Sequence, residues 1–333
     1  MQETIENSKT LSARPIFVMG MPRGGTTLVG SLIAQHPQIS GVLARRYGGL
    51  KETDMFGPID KYFGDISNPI DLVRFVETFS ATDYFVRTGA QKSLFYKTKP
   101  RNIHSFFTIL MDDFANRSNS SHWVEKSPTH LLCFNKIISM YPDAYFVVVR
   151  RNTIDCVRSY LALKGSDVRI GRFTRLLKAS LRYAIYENRL NKLVSIADKP
   201  NYEIIEFESL LDDMPKVCID LCENLKIPYS EYMCAPQFEK NTSFFDNTIK
   251  NARKSTHSKL EHVAITLVLR LFKLVPNYFA ERAAQKLLLW GKRPMAHHWG
   301  MLFEEHKFNE AEVSPGGWGG LPENRPSVKK MDS

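Results

Sequence analysis

The chain has 333 residues, 43% of them hydrophobic and 24% charged, with a formal net charge of +10 at pH 7. That composition suits one large α/β domain with a buried core and excludes a largely disordered or low-complexity chain. The excess of cations asks for an anionic partner. It is scattered in small pairs (Arg45-Arg46, Arg150-Arg151, Arg253-Lys254, Lys329-Lys330) without a nucleic-acid-binding signature, so nucleic acid is not the expected partner.

In chain order, residues 14–19 read as a core strand entered through Pro15, and residues 27–36 as a helix closed by His36-Pro37. Residues 50–56 are short and ambiguous. Residues 57–121 mix aromatics, prolines and polar residues, with helical periodicity near 103–116, and read as an insertion or lid. Residues 122–125 are extended, 129–140 helical, and 144–149 (AYFVVV) form a continuous apolar run suited to a strand buried on both faces. Helices over 153–163, 173–197 and 214–225 alternate with a strand over 202–207. That alternation implies βαβ units and a parallel sheet. The fold expected is α/β, a P-loop type of three layers, as a single domain over 12–300 with a loop or tail over 301–333.

Residues 260–290 are rich in Leu, Val and Phe but interrupted by Arg270, Lys273 and Pro276. They read as a core or lid helix pair, with membrane-surface contact the alternative. The first dozen residues lack the apolar core of a signal peptide, and no run of about 18 apolar residues would span a bilayer. Cys133, Cys156, Cys218, Cys222 and Cys234 are odd in number and lack metal-ligand spacing. A reducing, cytoplasmic setting without a metal site is expected.

Two segments carry chemistry. Residues 17–28, FVMGMPRGGTTL, run from an apolar strand through a glycine-rich turn into a helix start, a layout whose N–H groups and helix N-terminus cradle a phosphate-like anion. Gly20, Gly25 and Thr27 fit the nucleotide-binding pattern G-x-x-x-x-G-K-[ST], but Thr26 takes the lysine position and the cation sits within the turn, at Arg23. Residues 147–160, VVVRRNTIDCVRSY, deliver Arg150-Arg151 at a strand end, and Ser159 follows about two helical turns later, so guanidinium and hydroxyl can converge on one phosphate.

Together these segments resemble the sulfotransferases that use 3′-phosphoadenosine 5′-phosphosulfate. Pro22-Arg23-Gly24-Gly25-Thr26-Thr27-Leu28 fits their 5′-phosphosulfate loop, with glycine where serine is commoner. Val149, Arg151, Asn152, Asp155 and Ser159 fit their 3′-phosphate motif, with Thr153 for the usual proline. Glu125-Lys126-Ser127-Pro128 is similar to the E-K-[ST]-P segment of heparan-type and bacterial members, and Glu206 to Leu210 to their [RK]-Y-E-D-L strand end.

The resemblance implies the phosphosulfate as co-substrate and no metal. It implies donor contacts from residues 22–27, Lys126, Arg151 and Ser159, and a hydroxyl- or amine-bearing acceptor that is a glycan, a lipid or a small molecule. Lys51 to Phe56 matches a K-E-x-x-x-F segment whose glutamate is the base, so Glu52 is the implied base and Lys51 lies near the sulfuryl group. His130 and His36 are rival bases, and Arg253 and Lys254 are candidates to close over the 3′-phosphate. A small-molecule kinase with its lysine displaced, or a silent nucleotide- or acidic-polymer-binding protein, is the alternative.

Overall fold

Alternate residues of the first strand face two different cores. Phe17 and Met19 pack with Trp123, Phe146 and Val148 on one side, and Ile16 and Val18 with Val124, Val147 and Val149 on the other. A strand buried on both faces must be apolar at every position, which is why the sequence shows a continuous run rather than alternation. The computed structural model describes residues 12–44, 49–57, 63–163, 171–197, 199–234 and 259–290. Arg45, Arg46, Arg253, Lys254 and the expected tail over 301–333 lie outside the described residues.

The chain begins with β1 (Arg14–Gly20), α1 (Thr26–Ala34) and β2 (Ile39–Gly41), followed by a short antiparallel pair, β3 (Leu43–Ala44) and β4 (Gly49–Leu50). Four helices come next: α2 (Pro69–Ser80), α3 (Asp83–Thr88), α4 (Lys92–Thr98) and α5 (Ile103–Arg117). Strand β5 (His122–Lys126) leads through a 3-10 turn (Pro128–Cys133) to α6 (Phe134–Met140). Then come β6 (Tyr145–Arg150), α7 (Thr153–Leu163) and α8 (Arg172–Val194). Strand β7 (Tyr202–Glu206), α9 (Phe207–Asp212), α10 (Met214–Leu225), α11 (Lys259–Lys273) and α12 (Asn277–Trp290) complete the described elements.

Strands β2, β5, β1, β6 and β7 lie side by side in that order, all parallel. Helices α1, α9 and α10 cover the face of Ile16 and Val18, while α2 to α8 with α11 and α12 cover the face of Phe17 and Met19. This is the expected three-layer α/β fold. The chain order steps to the β2 edge first and returns through β5 to cross β1 towards β6. The crevice beyond the carboxyl ends of the central strands is therefore where such a sheet binds ligands.

Residues 57–121 are more than an insertion with one helix. Helix α2 starts where Asn68 accepts a bond from the Ile70 N–H (2.9 Å) with Pro69 in the first turn, and α5 starts with a capping box between Asn102 and Ser105. Their apolar faces meet in a chain of rings, Phe75 against Phe106 at 4.7 Å and Phe95 against Phe106 at 4.2 Å. That chain is continuous with the sheet through Phe56, Phe107 and Trp123.

Candidate functional site

Four strand ends supply the site. The glycine-rich turn follows β1, Lys126 closes β5, Arg151 follows β6 and Phe207 follows β7. Register fixes their spacing, with Val18 opposite Lys126 and Gly20 opposite Val149.

Gly25 opens α1 in the left-handed region (φ 98°) and offers no side chain to the first helical N–H groups. Those groups have no carbonyl of their own helix to meet, so they and the helix dipole point at an anion's position. A Cβ at Gly25 would stand 2.2 Å from the Phe207 ring, so glycine is required here by conformation and by space. Arg23 also adopts positive φ (63°), which costs a non-glycine residue roughly 1–2 kcal/mol. Its carbonyl accepts from Arg151 Nη1 at 2.9 Å and from the Cys156 thiol at 3.7 Å, and these bonds hold it there. Burial pushes that thiol up to about 12, so it remains a donor. The Tyr183 hydroxyl fixes the same turn by donating to the Pro22 carbonyl at 2.9 Å.

The two segments singled out in the sequence meet directly. Arg23 Nε donates to Ser159 Oγ at 3.2 Å, across 136 residues. The Arg151 guanidinium lies over the Phe207 ring, 4.4 Å from its centre, and among the described residues no carboxylate is in ion-pair contact with it. Its neighbour Arg150 faces the other way, onto Glu206 at 3.1 Å with both partners half-exposed. Strand alternation thus sends one arginine inward and one outward. Asn152 caps α7 by accepting from the Ile154 N–H at 2.9 Å, and Asp155 pairs with Arg158.

Lys126 joins the loop to the segment over 51–56. Its side chain is 1% exposed and donates to Thr27 Oγ1 at 3.1 Å and to Glu52 Oε1 at 2.5 Å, the latter side chain being 46% exposed. Lys51 goes elsewhere. Its ammonium meets Asp83 on α3 at 2.6 Å, beside Arg87, and the structure does not bring it to the loop. Burial would raise the Asp83 carboxyl, but bonds from Arg87 and Lys51 outweigh this and hold it below its ordinary value.

Glu125 organises the segment from below. It is buried and accepts from Thr53 Oγ1 (2.9 Å) and Ser127 Oγ (2.7 Å). Ser127 Oγ in turn accepts from the N–H groups of Thr53 and Asp54, both at 3.0 Å. His130 Nδ1 lies 2.8 Å from Glu125 Oε2, outside hydrogen-bond alignment. Against the cost of burial, His130 and the hydroxyl donors keep Glu125 below its ordinary value of 4.5.

His130 is thus engaged beneath the loop, buried against Phe56. His36 is buried at the end of α1, with Nε2 2.8 Å from the Pro228 carbonyl. Phe207 falls within the matched segment over 206–210 but had no role assigned to it, and the sequence pointed to neither Tyr183 nor Arg182. Arg182 lies between the rings of Tyr160 and Tyr186, beside Tyr183, and among the described residues pairs with no carboxylate. Aromatic and arginine residues on a long amphipathic helix carry no signal that separates core packing from a site.

A glycine turn after β1 with an uncapped helix behind it, and cations from two other strand ends, define a P-loop protein with an anion-suited cradle at the carboxyl ends of its strands. A model of the sulfotransferase family matches residues 15–231, and the chain belongs to that family. Among solved structures it is similar to the sulfotransferase domain of the Synechococcus PCC 7002 olefin synthase (13% identity over 80% of this chain and 96% of that one, TM-score 0.48). It is also similar to the sulfotransferase domain from the curacin biosynthetic pathway (14% identity, 84% and 98% covered, TM-score 0.47). A third likeness is to sulfotransferase STF1 of Mycobacterium tuberculosis H37Rv (15% identity, 78% and 76% covered, TM-score 0.44). No curated protein matches the chain.

Proposed function

We propose that this sulfotransferase moves the sulfuryl group of 3′-phosphoadenosine 5′-phosphosulfate to a hydroxyl or amine of its acceptor by in-line displacement. The observation that carries the reading is the junction of Arg23 with Ser159 at 3.2 Å, backed by Arg151 on the Arg23 carbonyl. It links a 5′-phosphate cradle to a second anion site of arginine and hydroxyl, as a nucleotide with phosphates at both ends of its ribose requires. Residues 22–27 hold the 5′-phosphosulfate, and Arg151 and Ser159 the 3′-phosphate.

Glu52 takes the proton of the acceptor, whose oxygen or nitrogen forms the new bond to sulfur. The bond from sulfur to the 5′-phosphate oxygen breaks, and its electron pair leaves with adenosine 3′,5′-bisphosphate. Arg23, Lys126 and the α1 N–H groups oppose the charge that develops on the sulfuryl and leaving oxygens. Lys126, already on Thr27, takes the part that the resemblance implied for Lys51, and Lys51 instead anchors the segment through Asp83. The incoming anion competes with Glu52 for Lys126 and so frees the carboxylate to act.

Transfer of labelled sulfate from the phosphosulfate across a panel of glycan, lipid and small-molecule acceptors tests this reading. Product formed without added magnesium supports it. Transfer of phosphate from Mg-ATP instead, or nucleotide binding without transfer to any acceptor class, contradicts it.

A further inference from the structure

Helices α11 and α12 are apolar on two sides. Inward, Ile265, Leu269 and Phe272 of α11 are buried in the core beside α8. Outward, Leu260, Val263, Leu267, Leu271 and Leu274 recur at helical spacing, each at least 55% exposed, and Tyr278 and Phe279 continue the row at the bend. One apolar face explains a helix packed on a core; a second, with i, i+3 and i+4 spacing, does not serve that packing.

The charges divide just as cleanly. The helix pair carries two carboxylates, and both are turned to the body of the protein, Glu261 to Arg172 at 2.6 Å and Glu281 to Arg189 and Lys192 at 2.5 and 2.7 Å. Lys259, Arg270, Lys273, Arg282 and Lys286 are exposed. The outward surface is therefore leucine and aromatic rings with cations and no exposed acid. No helix among the described residues is long and apolar enough to cross a membrane, and α11 and α12 are bent by 119° at the break between them. The shape suits lying on a surface rather than spanning it.

We infer that this face seats the protein on a membrane containing anionic lipid, with the leucine row and the two aromatics entering the headgroup boundary and the five cations meeting lipid phosphates. Among the described residues of the helix pair no exposed carboxylate stands on this face to repel lipid phosphates. The seat adjoins the proposed donor site, because α11 touches α7 where Arg158 meets His262 at 3.2 Å, next to Ser159. The inference stands apart from the transfer reaction, since it rests on no catalytic residue.

Flotation of the full chain with vesicles tests it, comparing pure phosphatidylcholine with the same lipid carrying about 30% phosphatidylglycerol. The expected result is binding to the anionic vesicles, weakened when salt is raised from about 0.1 to about 0.5 M. The double variant Leu267→Glu, Leu271→Glu is expected to lose about tenfold or more of the bound fraction. Both residues are exposed, so an unchanged melting temperature and unchanged adenosine 3′,5′-bisphosphate binding separate loss of the surface from loss of the fold. Arg270→Gln with Lys273→Gln checks the electrostatic part, with binding reduced on anionic vesicles alone. Absence of the wild-type chain from the anionic vesicles would overturn the inference. So would a concentration-dependent dimer abolished by the leucine double variant, which would give the face to a second copy.

Discussion

The sides proposed for the donor and for the acceptor treat their charges in opposite ways. On the donor side, Arg151 has an aromatic ring and a carbonyl for company but, among the described residues, no carboxylate, and no side chain caps the α1 N–H groups. On the acceptor side, Lys51 is paired to Asp83, Glu52 to Lys126, and Glu125 to its hydroxyl donors and His130. An unpaired cation held in a fixed pose is ready for an incoming anion, whereas a paired carboxylate acts only when its partner is drawn off. Lys126 is the hinge of this difference, since it touches both Thr27 and Glu52.

The largest effect is expected at the acceptor side. Glu52→Gln should lower kcat about a hundredfold or more while leaving the donor Kd within about threefold, because a general base is lost and no donor contact. Near-normal turnover would remove Glu52 from the chemistry and leave the paired acceptor side as scaffold. Next in size, Arg151→Ala should weaken adenosine 3′,5′-bisphosphate by roughly tenfold to a hundredfold in calorimetry, the scale of hydrogen bonds to charged groups. An unchanged Kd would show that the uncompensated arginine serves the fold alone.

Smaller effects sharpen the account of the scaffold. Lys51→Ala should cost about 1 kcal/mol of stability in denaturant unfolding and raise the acceptor KM, leaving donor binding intact. Weakened donor binding would instead return Lys51 to the loop.

The smallest effect concerns pH. Burial, with Arg14 and His36 adding to it, lowers His122 at the start of β5 from 6.5 to about 4. A depressed histidine binds its proton in the unfolded chain before the native one, so its share of stability is complete above about 6.5 and is lost as pH falls towards 4. His122→Asn should flatten the stability profile over that window, and an unaltered slope would show the imidazole to be solvated.

The donor side was largely legible in the sequence because its residues lie in short, ordered runs. The strand over 14–19 appears as Arg14–Gly20, the helix over 153–163 as Thr153–Leu163 and that over 214–225 as Met214–Leu225. Arg23 meets Ser159 through its Nε and Arg151 through its carbonyl, which brings the two segments together. The acceptor side was much less legible. The helices α2, α3 and α4 hide in a stretch where aromatic residues serve ring packing rather than a clean period, and the helix expected from 129 begins as a 3-10 turn under Pro128. Asp83 lies far along the chain from Lys51, so no local pattern could announce the pair that turns this lysine away from the loop. Phe207 was invisible as a platform because its role, beneath Arg151 and against Gly25, exists only once β7 lies beside β6.

The preformed donor side is the central claim, and calorimetry in the presence of EDTA tests it most directly by comparing adenosine 3′,5′-bisphosphate with adenosine 5′-monophosphate on the wild-type chain and on Ser159→Ala. The account predicts that the 3′-phosphate tightens binding by about tenfold or more in the wild type and by much less in the variant. Equal affinities for the two nucleotides on the wild-type chain would contradict it.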